Sequence, residues 1–88
     1  MVSQSVRIGV DSFQSEKIRP LIVQTACAYE SRIEIRVDNM TINAKSIMGL
    51  MAMPLEEGNI ISIVTSGNDE KDAIDAVSNL LGKQTEVF

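Results

Sequence analysis

Arg32–Ile42, RIEIRVDNMTI, alternates apolar and polar residues on both sides of a two-residue polar break. Ile33, Ile35 and Val37 fall on one face of an extended chain. Arg32, Glu34 and Arg36 fall on the other, the period of a half-buried strand. The alternation resumes at Met40 and Ile42 after Asp38-Asn39, residue types suited to tight turns, so the stretch predicts an antiparallel hairpin.

Working outward from it, Ser46 precedes a short apolar run, and Pro54 stops any helix that begins there, because its ring cannot continue a helix interior. Upstream, Ile18, Leu21, Ile22, Thr25, Ala26 and Tyr29 recur every three or four residues, a helical stripe with Pro20 placed in its first turn. Before that, Val6, Ile8 and Val10 alternate with polar residues or glycine, a strand ending near Asp11-Ser12. Downstream, Glu56-Glu57-Gly58-Asn59 reads as a turn and Ile60–Thr65 as a β-branched strand. Asn68 or Asp69 then caps a helix whose stripe is Ala73, Ile74, Val77, Leu80 and Leu81, closed by Gly82. The order β-α-β-β-α-β-α, with three amphipathic helices to cover, predicts an α+β open-faced sandwich: a four-stranded antiparallel sheet with all helices on one face, one domain over residues 1–88.

Composition narrows the chemistry. The 88 residues carry a net charge of −4, which argues against a general affinity for nucleic acid. One cysteine, Cys27, permits no intrachain disulfide and fits a reducing compartment; without a signal or a membrane-length apolar stretch, the expected location is the cytoplasm. There is no histidine, which removes the commonest general base and metal ligand, so neither a metal nor a cofactor is expected. Cys27 has neither a histidine base nor a C-x-x-C partner and reads as an inert thiol. The carboxylate pairs Glu56-Glu57 and Asp69-Glu70 read as solvated turn charges rather than an acid/base site. The five glycines form no phosphate-binding loop. An enzyme is not expected.

Asn43–Met51, NAKSIMGLM, is the segment that invites a functional reading. Ser46 suits a helix N-cap, although Gly49 stands where a capping box would place Glu or Gln. The same position tolerates a phosphate, since unpaired N–H groups and the positive end of the helix dipole favour an anion. In so short a helix Leu50 and Met53 can face the sheet, but Ile47, Met48 and Met51 cannot all turn inward with them. An exposed apolar patch beside a modifiable hydroxyl is the expected result.

VQTA (Val23–Ala26), NAKSIMGLM and GNDEKDAIDA (Gly67–Ala76) resemble HPr, the small phosphocarrier family of the bacterial sugar phosphotransferase system, and element order and spacing match over nearly the whole chain. In that family a histidine in a G-[IL]-H-A-R-P-A loop carries a transferable phosphoryl group. Here the loop reads DSFQSEKIRPLIVQ. Aligned without a gap on VQTA, Ser15 falls at the histidine's place and Lys17 at the neighbouring arginine's; aligning Arg19-Pro20 with the family's R-P instead places Lys17 at the histidine. Either way the nucleophile is missing, and a phosphoserine ester at Ser15 would be too stable to relay its group as a phosphoramidate does.

The resemblance is therefore to the branch of the family that lacks the histidine and keeps the regulatory serine, the catabolite-repression HPr-like proteins. It implies phosphorylation of Ser46 by HPr kinase/phosphorylase and corepressor action with catabolite control protein A. The implied docking surface is Ile47, Met48 and Met51 with Lys17, which keeps the charge of the family's arginine but loses its bidentate fork. The opposing expectation is an unmodified docking or scaffold protein that binds phosphotransferase-system or metabolic enzymes. No contact with nucleic acid or membrane is implied, and the chain is expected as a monomer or a strand-swapped homodimer.

Overall fold

The computed structural model describes residues 1–8, 15–53 and 58–82, apart from the side chains of Ser15 and Glu16. Its elements run β1 (Val2–Arg7), α1 (Ser15–Cys27), β2 (Arg32–Val37), β3 (Met40–Asn43), α2 (Ile47–Ala52), β4 (Ile60–Ser66) and α3 (Glu70–Gly82). The strands form one antiparallel sheet in the order β1-β4-β2-β3.

The hairpin forms as read, with Val37 opposite Met40 and Ile35 opposite Ile42. Asp38 takes the left-handed conformation at φ 54°, which its short polar side chain tolerates better than most. Register then carries the apolar face across the sheet: Ile33 and Ile35 of β2 lie opposite Thr65 and Ile63 of β4, and Ile61 lies opposite Val6 of β1. On this face Ile22 and Ala26 of α1, Leu50 of α2, and Val77 and Leu81 of α3 complete a core of fully buried side chains. The three helices cover that face, as the stripes require.

Several expectations are corrected. Strand β1 begins at Val2, well before Val6, because its early polar residues pair with β4 regardless of their side chains. Val10, Asp11-Ser12, Pro54 and Glu56-Glu57 lie outside the described residues. Pro20 is six residues into α1 rather than in its first turn. It lies on the exposed side of the helix, where water can serve the carbonyl that loses its donor. Leu21 is 44% exposed, since the buried stripe of α1 is narrower than the apolar pattern and runs through Ile18, Ile22 and Ala26.

Asp69 stands at the head of α3, its carbonyl accepting from Ala73 N–H at 2.9 Å, but its carboxylate turns away from that helix. It reaches back to the α1–β2 connection and accepts from Glu30 N–H at 2.9 Å, from Ser31 N–H at 3.0 Å and from the Ser31 hydroxyl. Gly67 makes this approach possible: with φ 151°, a Cβ there would stand 2.7 Å from the Ser31 Cα.

Candidate functional site

The site is built on α2 and the first half of α1. Ser46 is the N-cap of α2, extended at φ −110° and ψ 115°, with its Oγ accepting from Gly49 N–H at 3.3 Å. Its carbonyl accepts from Leu50 N–H, so the first turn is closed from both ends. Ser46 is half-buried. Gly49 supplies more than an N–H: a Cβ there would meet Ile42 Cγ2 at 3.2 Å, so glycine lets α2 settle closely on β3.

The six residues of α2 divide sharply. Leu50 is fully buried and the capping Met53 nearly so, whereas Ile47, Met48 and Met51 are 42%, 80% and 69% exposed. Two of the exposed residues, Ile47 and Met51, line an open groove of about 470 Å³ with Arg19 and Pro20 of α1. Met48 lies beyond that groove lining, so the apolar patch extends past it. Lys17 is exposed in the first turn of α1, and Ser15 is the first residue of that helix.

Sequence reasoning missed what fixes α2 in place. Arg19 donates from Nε to the Leu50 carbonyl at 2.8 Å and from an Nη to the Met53 carbonyl at 2.7 Å. Helix α2 has no basic residue in its own last turn, and the guanidinium from α1 supplies both the missing donors and the complementary charge. Lys45, immediately before Ser46, repays the contact by donating from Nζ to the Tyr29 carbonyl at 2.7 Å, just past the end of α1. Arg19 of α1 thus caps the C-terminal end of α2, and Lys45 ties the segment ahead of α2 to the segment that follows α1. The available signal was the absence of any cation in the last turn of either helix, together with an Arg and a Lys elsewhere whose partners no local pattern names.

Electrostatics elsewhere follow the same logic. Hydrogen bonds from Ser31 and the Glu30 N–H hold the Asp69 carboxyl below the usual carboxylate range. Glu70 is likewise lowered by the Gly67 N–H and by the chain's amino terminus, which contacts both its oxygens at 3.0 Å. Ser46 has no acidic neighbour in the first turn of α2. No group of three or more potential metal-ligating side chains occurs among the described residues, and none of their helices is long and apolar enough to cross a membrane.

Comparison with known proteins places this geometry in context. Residues 18–83 match the family model described as the PTS HPr component phosphorylation site. The HPr-like protein Crh of Halalkalibacterium halodurans is 36% identical over 84 residues, 96% of this chain and all of that protein. The crystal structure of HPr-C-His from Thermoanaerobacter tengcongensis superposes with a TM-score of 0.89 at 32% identity, covering 100% of this chain and 99% of the other. The crystal structure of Crh from Bacillus subtilis, described as a swapped dimer, superposes with a TM-score of 0.72 at 28% identity over 96% and 97% of the two chains. With the sheet order, the three covering helices and the NAKSIMGLM segment all in place, the chain belongs to the PTS HPr family.

Proposed function

We propose that the chain is an HPr-like regulatory protein, neither a phosphocarrier nor an enzyme. On this reading it is phosphorylated on Ser46 by HPr kinase/phosphorylase and then acts with catabolite control protein A as a corepressor in carbon catabolite repression. The observation that carries the reading is the pairing of a half-buried seryl hydroxyl at the start of α2 with the exposed side chains of Ile47, Met48 and Met51. A partner gains apolar contact from that patch, and methionine side chains adapt to its shape. Phosphorylation adds a chargeable group at its edge, and the first turn of α2 holds no carboxylate. Lys17 contributes a cation on the adjoining helix.

Loss of phosphocarrier activity follows from the sequence. No histidine is present to form a phosphoramidate, and Ser15 could form only a stable ester. The likeness to a protein named for catabolite repression supports the regulatory reading. It also supports a homodimer exchanging β1, an edge strand that pairs only with β4, as the alternative to a monomer.

A second reading has its own support. The Ser46 hydroxyl already serves as a structural cap, which suits an unmodified docking protein for phosphotransferase-system or metabolic enzymes. Incubation with HPr kinase/phosphorylase and ATP, followed by intact mass, separates the two. The regulatory reading expects one added phosphate that Ser46→Ala abolishes; an unchanged mass leaves the docking reading.

A further inference from the structure

The sheet face turned away from the helices has a character of its own. By register, Arg7 of β1, Ile60 and Val64 of β4, and Arg32, Glu34 and Arg36 of β2 share it. Among the described strand residues of this face, three arginines stand against one carboxylate, a positive balance in a chain of net charge −4. Glu34 lies 3.5 Å from an Arg36 Nη, while Arg7 and Arg32 are exposed. Val64 sits on this uncovered face yet is only 6% exposed, on the floor of a shallow hollow of about 470 Å³ whose sides include Met1, Arg32, Glu34 and Arg36. Ile60, opposite Arg7, is 63% exposed.

We propose that this face is a second docking surface, separate from α2, for an extended acidic segment of a partner protein. Arg32 and Arg36 are four residues apart on one strand, about 13 Å, so carboxylates at positions i and i+4 of an extended segment match them. An apolar residue between those carboxylates lies over the hollow floored by Val64. Arginine is the residue interfaces favour for such contacts, since its fork engages a carboxylate through two parallel bonds. Nucleic acid is the poorer occupant: the chain as a whole is acidic, and none of the strand residues that share this face by register carries an aromatic ring for base stacking. A second copy is poorer too, because Asp69 and Glu70 in the acidic cluster at the head of α3 already engage their own chain.

The test is a titration of ¹⁵N-labelled protein with the peptide acetyl-Glu-Ser-Val-Ser-Glu-amide at low ionic strength. Saturable shifts should appear at Arg32, Glu34, Arg36 and Val64, weaken with added salt, and leave α2 unmoved. Arg32→Gln and Arg36→Gln should each weaken binding about threefold and together about tenfold. Glu34→Gln should strengthen it, a gain that damage to the fold would not produce. The proposal is overturned by the absence of saturable shifts, by shifts confined to α1 and α2, or by equal affinity in the double arginine variant. It is also overturned if a single-stranded oligonucleotide binds the same residues as tightly, or if Arg36→Gln abolishes self-association rather than peptide binding.

Discussion

The heads of α2 and α3 solve the same problem in opposite ways. At α3, the orphan N–H groups and the positive end of the helix meet Glu70 and Asp72 in the first turn, with Asp69 just ahead. Two of those three charges are committed: Asp69 holds the α1–β2 connection, and Glu70 holds Gly67 and the amino terminus. At α2 the first turn contains no acid, and one neutral hydroxyl does the capping. The apolar faces differ in parallel, since α3 buries its stripe while α2 leaves Ile47, Met48 and Met51 in solvent. One helix is finished by its own chain, and the other leaves room for an added charge and a partner.

That contrast can be broken most forcefully through the attachment of α2. Leu50→Ala removes the fully buried anchor of a six-residue helix and should cost about 2–5 kcal/mol, measured by urea unfolding. Arg19→Gln should cost about 1–3 kcal/mol, because the Leu50 and Met53 carbonyls lose charged donors, and hydrogen exchange should rise in α2 before α3. Arg19→Lys should recover part of that loss. Ser46→Ala should cost about 1 kcal/mol through the lost cap, whereas Ser46→Asp keeps an acceptor ahead of a first turn that holds no acid.

A subtler effect, screened by solvent, belongs to the head of α3. Because the folded-state pKa of Asp69 is depressed, its contribution to stability is fully present above the ordinary carboxylate range, about 4. It is lost as pH falls through the lowered value. Asp69→Asn should therefore flatten the acid limb of a stability–pH profile, while Ser46→Ala leaves that limb unchanged. The smallest effect on stability is expected for Met48→Ser, within about 0.5 kcal/mol, since the side chain is 80% exposed. The same substitution should weaken partner binding.

What the sequence disclosed and what it hid divide along physical lines. Short-range periodicity located both strands of the hairpin, the buried stripe of α3 and the need for α2 to bury Leu50 while leaving part of Ile47, Met48 and Met51 outside, because each depends on neighbours within a few positions. The tolerance of Pro20 inside α1 was not legible, since it depends on which side of the helix faces water. The reach of Asp69 to Ser31 and of Arg19 to α2 spans 38 and 31 residues, and no local pattern encodes such distances. At the candidate site, Ser46 and its apolar neighbours could be named from sequence, whereas the capping of α2 by Arg19 and the Lys45–Tyr29 contact that orient them required the fold.

The most direct measurement is calorimetric titration of catabolite control protein A with the chain in three forms: unmodified, phosphorylated on Ser46, and phosphorylated with Met48→Ser. The account predicts tight binding by the phosphorylated chain, loss of at least about tenfold in affinity without the phosphate, and a further dependence on Met48. Equal affinity in all three forms would contradict it.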